Sequence, residues 1–549
     1  MTAPGSGNRK VGLFIVTALV VGNMVGSGVF LLPSSLAPFG ALSLLGWLFT
    51  SAGAAVVALL LAGLARRMPR AGGPYAFTRE GLGRLPAFLV AWGYWISIWS
   101  GNAAISVAFV GYLAAFHPPL AQSPALGAGT ALAAVWFLTG VNALGVREAG
   151  IVQVLTTVLK LLPLLAVGTL GLLFLNPDHF VPFNPSAQPT VSAVTATATL
   201  TLWAFVGLES ATIPADSVKN PARTIPRATV LGTLVAALVY VLATVGVMGA
   251  LPAGELAGST APFADAAARM WGGWARPAVA FGAAVSAFGA LNGWILLQGQ
   301  MPLAAARDGL FPGVFGKVSR RGTPVAGLVI SSVLVTGLMA LNFTASLVDQ
   351  FTFIILLATL STLIPYIFSS LAELAMVARE RMAEEGAAAG GSGAGSDAEA
   401  ETPPETGEPG QRTPPETGAP GQRTPPETGA PGQRTPPGTG APGQRTPPET
   451  GAPGQRTPPG TREPGKRMPP GTSVPEEGKL ARPPAAPEND SSAPRTWRAR
   501  AVLALLALAY SVWASVGAGT ATLFWGLVLL LAGLPVYGWQ MWRRKGCNT

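Results

Sequence analysis

The sequence predicts an all-α membrane protein with twelve transmembrane helices. Of its 549 residues, 49% are hydrophobic and 11% are charged, whereas about 25% are charged in an ordinary soluble domain. Twelve apolar runs follow one another along the chain, and about 20 such residues form a helix that crosses a bilayer. In order, the runs cover 11–34, 41–65, 86–116, 126–145, 150–175, 192–215, 227–250, 276–304, 324–343, 348–378, 499–518 and 520–541.

The basic residues are concentrated in alternate loops. They follow the even-numbered runs, as Arg66 and Arg67 follow the second and Arg543 the twelfth, while the opposite loops hold chiefly Arg269 and Arg276. Cytoplasmic loops carry an excess of Lys and Arg, so a multi-pass protein of the cell (inner) membrane with both termini in the cytoplasm is expected. Topology thus explains the net charge of +10, and no nucleic-acid partner is expected.

The composition divides the chain into three parts. Residues 1–380 hold spans 1–10, and residues 497–549 hold spans 11–12 with a short basic tail. Between them, residues 381–496 are rich in Pro and Gly and contain an eleven-residue repeat that starts at Thr402. Such polar sequence buries too little apolar surface to offset its conformational entropy, so a disordered cytoplasmic insert is expected. It is either an expanded repeat without a role or a docking segment.

Span 1 contains glycines that can interrupt its helix. Gly22, Gly26 and Gly28 surround Ser27, and Pro33 follows shortly. A helix that restarts here would present free N–H groups to an anion such as an α-carboxylate. The alternative is close helix packing through small residues.

Span 6 is interrupted in the corresponding place by Gly207-Leu-Glu-Ser210. Two interrupted spans at matching positions of two halves indicate the substrate site of a secondary transporter. Glu209 is costly at this depth in a membrane and is therefore a functional candidate, which pairs with a cationic substrate or carries a proton. The alternative is a structural glutamate bonded to a neighbouring helix.

Lys160 is the second charge inside a span. It lies nine residues past Ile151, about 14 Å along a helix. A lysine near the midplane acts as a fixed cation or a proton carrier, because its pKa shifts readily on burial. If span 5 starts later, Lys160 lies near the cytoplasmic surface instead.

Several aromatic and polar residues also lie inside spans rather than at the interfacial belts. Trp203, Trp294, Tyr94 and Tyr366 can stack on a substrate or close a gate, although core packing explains any single one of them. Asn102 in span 3 needs a hydrogen-bond partner, either a substrate or another helix.

No enzyme motif, cofactor motif or metal site is recognisable. The single cysteine, Cys547, is at the tail, and His117 and His179 lie alone in loops. We therefore expect neither an enzyme nor a metal or cofactor protein.

Long ordered blocks of the sequence resemble the amino acid–polyamine–organocation (APC) family of transporters, and within it the arginine/agmatine antiporters of bacteria. The blocks are Gly22-Asn-Met-Val-Gly-Ser-Gly-Val-Phe-Leu-Leu-Pro33, Gly72-Gly-Pro-Tyr-Ala76, Leu202-Trp-Ala-Phe-Val-Gly-Leu-Glu-Ser-Ala211, Gly293-Trp-Ile-Leu-Leu297 and Asp308-Gly-Leu-Phe-Pro312. The resemblance implies the five-plus-five inverted repeat of the leucine-transporter type, with broken helices 1 and 6, followed by helices 11–12.

The resemblance also implies roles for individual residues. Ser27 and Gly28 match a carboxylate-binding turn, Trp203 a gate ring and Trp294 a ring that stacks on the substrate side chain. The implied substrate-binding set is Met24, Gly26, Ser27, Gly28, Asn102, Trp203, Val206, Trp294 and Ala358. The implied distal gate is Tyr94, Glu209 and Tyr366.

Two positions depart from the arginine/agmatine antiporters. Ala358 stands where they have a serine, and Lys160 resembles sodium-independent amino-acid transporters, in which such a lysine replaces a sodium ion and Ser286 matches its hydroxyl partner. We therefore expect a sodium-independent amino-acid transporter that works by alternating access and exchanges an amino acid for an amine or another amino acid. The alternatives are proton-coupled uptake or export of neutral amino acids, and a transporter-like nutrient sensor. The expected partners are a small amino acid or amine, the bilayer and a second copy in a homodimer.

Overall fold

The computed structural model describes residues 12–69, 72–144, 161–212, 218–341, 344–393 and 496–546. Within these ranges the protein is built from helices, which confirms the predicted all-α class. Their bounds are α1 Leu13–Met24, α2 Ser27–Leu36, α3 Ser43–Arg67, α4 Pro74–Leu82, α5 Arg84–Leu113, α6 Pro119–Gln122, α7 Pro124–Leu144, α8 Leu161–Phe174, α9 Thr190–Leu202, α10 Pro221–Ala250, α11 Ala253–Gly258, α12 Pro262–Trp271, α13 Ala275–Arg307, α14 Val325–Leu341, α15 Leu347–Gly393, α16 Thr496–Val516, α17 Thr520–Leu531 and α18 Gly533–Gly546.

The described helices are those of a multi-pass membrane protein. They form nine helical segments long and apolar enough to cross a bilayer, of which one combines α2 with α3 and another α17 with α18, and α1, α8 and α14 are shorter apolar helices. Large apolar side chains lie exposed on them, such as Phe281 on α13 and Leu527 on α17, because lipid and not water covers the outside of such a bundle.

Helix α5 forms the centre of the bundle. It packs against α13 and α15 along its length, and nearly all residues from Ala87 to Tyr112 are buried. Helix α2 packs against α5, α1 against α10, and α9 against α3. The first segment that the sequence predicts to be interrupted thus borders the central helix through α2, and the second contacts it where Trp203 lies against Gly101 and Tyr94 donates to Glu209.

Helix α15 extends past the predicted domain boundary at residue 380, to Gly393. The reason is local: the stretch is rich in alanine, the best helix former, and Arg381 pairs with Glu385 one turn later. The rest of the predicted insert, 394–495, lies outside the described residues.

A buried carboxylate ties three helices together on the side of the basic loops. Glu373 of α15 is 1% exposed and accepts hydrogen bonds from Arg67 of α3 and, at 2.8 Å, from Arg500 of α16. Arg500 also pairs with Glu380 at 2.6 Å. A buried charge is tolerated only when it is paired, and here two arginines pair with it.

Candidate functional site

The first apolar segment consists of two helices. Helix α1 ends at Met24, α2 begins at Ser27, and the backbone of Gly26 is nearly extended, with φ −113° and ψ −156°. The first N–H groups of α2 have no partner within the helix, so they are available to a ligand. The side chain of Ser27 lies outside the described set.

The sixth apolar segment changes backbone conformation at the matching place. Helix α9 ends at Leu202, a 3₁₀ turn covers Trp203–Phe205, and Val206 is extended. Gly207 follows with φ +109°, a conformation that favours glycine. A Cβ atom at Gly207 would also lie 3.2 Å from the backbone of Asn23, so the two interrupted segments touch here.

A small cavity of about 20 Å³ lies between these two places. It has room for about one water molecule, so a substrate enters only when the walls move apart. Its lining is Asn23, Met24, Gly26, Gly28, Ile105, Trp203, Val206 and Trp294. None of these described lining residues carries a charge.

Six of the lining residues were predicted from the sequence, and two were missed. Asn23 lies inside the glycine motif, next to the predicted Met24, so its polar side chain was a usable signal. Ile105 gives no signal of its own, but it lies three residues after Asn102 and hence on the same face of α5.

Trp203 forms one wall of the cavity because two glycines leave room for its ring. A Cβ atom on Gly28 would overlap the indole nitrogen, and one on Gly101 would lie 2.8 Å from the far edge of the ring. Trp203 is 7% exposed, and its Nε1–H has no hydrogen-bond partner among the described residues.

The three residues assigned to a distal gate meet at one carboxyl group. The hydroxyls of Tyr94 on α5 and Tyr366 on α15 donate to Oε1 and Oε2 of Glu209, each at 2.8 Å. The backbone N–H of Gly207 donates to Oε2 at 3.2 Å. All three side chains are buried, so this cluster, hereafter the Glu209 cluster, joins α5, α15 and the second interrupted segment by hydrogen bonds.

Asn102 and Ala358 do not line the cavity. The amide nitrogen of Asn102 donates to Oε1 of Gln298 on α13 at 2.7 Å. Ala358 is fully buried in α15, where its carbonyl accepts from Thr362 at 3.0 Å. Gln298 is a functional candidate that sequence reasoning missed, although an amide within an apolar run was a signal.

The proposed cation site is partly outside the described chain. Ser286 on α13 is buried, and its hydroxyl has no partner among the described residues. Lys160 belongs to the stretch 145–160, which is outside the described residues. In the described part of the chain, no group of three or more His, Cys, Asp or Glu residues could hold a metal ion.

Comparison with known proteins identifies the family. The model of the amino acid permease family matches residues 11–385. The chain is 37% identical over 372 residues to the cadaverine/lysine antiporter of Escherichia coli K12, covering 66% of this chain and 83% of the relative.

A second relative and one solved structure extend the comparison. A putative arginine/ornithine antiporter of Bacillus subtilis 168 is 35% identical over 400 residues, with coverage of 67% of this chain and 85% of the relative. The crystal structure of MhsT in complex with L-phenylalanine matches with a TM-score of 0.47 at 15% identity, covering 67% of this chain and 89% of that one. The prediction of an APC transporter and not an enzyme is confirmed by the family model and the sequence relatives: the chain belongs to the amino acid permease family of APC transporters.

Proposed function

We propose that the protein exchanges an amino acid with a cationic side chain for a decarboxylated amine or a second such amino acid. The observation that carries this proposal is the uncharged, tryptophan-walled cavity between two interrupted helices. The names of the two relatives, which pair lysine with cadaverine and arginine with ornithine, support a dibasic substrate class. We do not restrict it to arginine and agmatine.

The main-chain groups at the two interruptions bind the part that all amino acids share. The α-carboxylate binds the free N–H groups at the start of α2, where the helix dipole also favours an anion. The α-ammonium binds carbonyls released where α1 and α9 end. Neither contact depends on a side chain, so the cavity walls are left to select the rest of the substrate.

The distal cation of the substrate lies against the tryptophan rings. Trp294 and Trp203 are both in the wall, and an indole face is the best aromatic partner for a cation. A wall without a carboxylate binds both a cationic amino acid and a diamine weakly enough to release them. This suits exchange, in which the same site loads and unloads in each half-cycle.

Transport proceeds by alternating access in a twelve-span fold with a five-plus-five inverted repeat and both termini in the cytoplasm. The Glu209 cluster is the gate on the side of the basic loops, and Trp203 closes the site over the substrate. The described conformation fits an occluded state, since Trp203 is 7% exposed and the cluster is fully hydrogen-bonded.

The exchange needs no sodium. In this proposal Lys160 supplies the positive charge that replaces sodium, and its expected partner is Ser286, whose hydroxyl has no partner among the described residues. We expect Lys160→Ala to lower lysine exchange at least tenfold without making it sodium-dependent. Uptake by the variant that becomes sodium-dependent contradicts this expectation, and full activity of the variant removes any role of Lys160 in transport.

Proteoliposomes test the proposal directly. Vesicles loaded with lysine, ornithine, arginine, cadaverine or agmatine are compared with empty vesicles for uptake of labelled lysine, in sodium and in choline buffers. We expect uptake only into loaded vesicles and equally in both buffers. Equal uptake into empty vesicles contradicts exchange, and preference for a neutral amino acid contradicts the substrate class.

A variant at the proposed carboxylate site provides a separate test. Ser27→Lys introduces a long side chain at this site, and we expect it to abolish uptake of labelled lysine in the same vesicles.

A further inference from the structure

A chain of buried hydrogen bonds connects α7, α14 and α13 to the central helix. Gln298 of α13 is completely buried and lies one turn after Trp294, which lines the cavity. Its Nε2 donates to the carbonyl of Leu328 at 3.2 Å and to Oγ of Ser332 at 2.8 Å, both on α14. Its Oε1 accepts from Asn102 on α5.

The backbone carbonyls of Val135 and Leu328 can only accept, and this fixes the direction of every hydrogen bond between α7 and α5 in this series. The hydroxyl of Thr139 donates to the carbonyl of Val135 at 2.7 Å, so its bond with Ser332, also 2.7 Å, uses the hydrogen of Ser332. Ser332 can then only accept from Gln298. The carbonyl of Leu328 also only accepts, so both demand the NH₂ group of Gln298.

The orientation of Asn102 follows from that of Gln298. Because both hydrogens of the Gln298 amide are used on α14, its oxygen faces α5, and Asn102 must turn its own NH₂ group towards it. The oxygen Oδ1 of Asn102 remains fully buried and has no partner among the described residues. A buried acceptor without a donor is unfavourable unless a ligand supplies one.

Asn102 lies within reach of the cavity wall. The preceding residue, Gly101, packs against the ring of Trp203, and Ile105 on the same face of α5 lines the cavity. The unsatisfied oxygen therefore belongs to the turn of α5 that borders the site.

We infer that Gln298 is a positioning residue that fixes Asn102 with its carbonyl oxygen free to accept a hydrogen bond from the distal cation of the substrate. The inference rests on the proposed function and adds to it the origin of selectivity for a donor-bearing side chain. Without Gln298, Asn102 can present either its oxygen or its NH₂ group, and the NH₂ group repels a cation.

The test compares lysine with norleucine, which has the carbon chain of lysine without its terminal ammonium. Gln298→Met keeps the length of the side chain and removes its donors and its carbonyl. We expect the KM for lysine to rise at least tenfold, the effect of losing one hydrogen bond to a charged group, while the inhibition constant of norleucine stays within about twofold. Gln300→Met, an exposed position on the same helix, is the matched control and should change neither constant.

Two further variants separate positioning from packing. In the Asn102→Leu background, Gln298→Met should not raise the lysine KM further, because its effect passes through Asn102. If Gln298→Met cannot be reconstituted, Ser332→Ala is measured instead, because it removes one of the two acceptors that orient the Gln298 amide. A rise of about threefold in the ratio of the lysine KM to the norleucine inhibition constant supports the inference, and an unchanged ratio overturns it. Ser331→Ala, which removes a hydroxyl bonded to the Gln298 backbone and not to its side chain, is its control.

The outcomes distinguish this inference from the proposed function. A lysine KM that is unchanged in Gln298→Met, or that rises together with the norleucine constant, overturns the inference while lysine exchange by the wild type still stands. Wild-type vesicles that do not exchange lysine overturn both.

Discussion

At the scale of single residues, the site depends on glycines, which have no Cβ atom, as much as on the larger residues that they contact. Trp203 fits against α2 and α5 because Gly28 and Gly101 have no Cβ atom. The tryptophan and the first glycine could be predicted from the sequence, since they belong to the two interrupted segments. Gly101 could not, because nothing in span 3 indicates which ring it faces.

Gly28→Ala tests this fit. The new methyl group would overlap the indole of Trp203, and the ring must leave its place in the wall. We expect lysine exchange to fall at least tenfold, measured in proteoliposomes with protein that still elutes as a single species. Gly140→Ala, where a Cβ atom meets nothing within 4 Å, should keep full activity; a Gly28→Ala variant as active as this control would contradict the role of the ring.

Glu209 is expected to make exchange depend on pH. As a carboxylate it accepts from both tyrosines of its cluster; once protonated, one oxygen becomes a donor and a tyrosine loses its acceptor. Falling pH should therefore loosen the closed gate and raise flux in the wild type.

The variant Glu209→Gln imitates the protonated carboxyl. Its flux at neutral pH should approach the acid value of the wild type, and its profile between pH 5 and 8 should be flat. Initial rates of lysine exchange across this range measure it, with the exposed Glu80→Gln as control. A profile that keeps the wild-type slope refutes the proton role.

At the scale of elements, hydropathy was enough to predict the all-α class, and the glycines indicated two places, after Met24 and after Leu202, where the backbone changes conformation. The sequence could not predict the series of hydrogen bonds from Val135 to Asn102, because its members come from four helices and interact only after these helices pack. The end of α15 was misjudged for the opposite reason. Its continuation depends on local alanines and one ion pair, which the nearby Pro-rich repeat obscured.

The second interruption should be more sensitive to substitution than an ordinary helix position. Gly207→Ala places a side chain at φ +109° and against the Asn23 backbone, which costs about 1–3 kcal/mol of strain. We expect a lower unfolding temperature and exchange reduced at least tenfold. Gly337→Ala, in open space within α14, is the control; equal stability of the two variants would show that this turn is not strained.

At the scale of the whole molecule, described contacts join the two helices on either side of the long insert. Glu373 and Arg500 connect α15 to α16 directly. We expect a protein that lacks 394–495, rejoined by a short Gly/Ser linker, to exchange lysine at the wild-type rate. If exchange is lost while the shortened protein reaches the membrane, the segment takes part in transport, and a sensor that uses it for output becomes the better description.

The contacts between α15 and α16 predict that the protein can be produced as two separate polypeptides. Arg381 lies 4.6 Å over the ring of Trp497, and Arg500 accounts for two hydrogen bonds to Glu380, so the last part of α15 lies beside the start of α16. We expect one polypeptide that ends near residue 393 and a second that starts near residue 496 to associate in a membrane through these contacts. The junction between α15 and α16 is accordingly a suitable insertion site for a reporter domain, because it lies away from the residues that line the cavity.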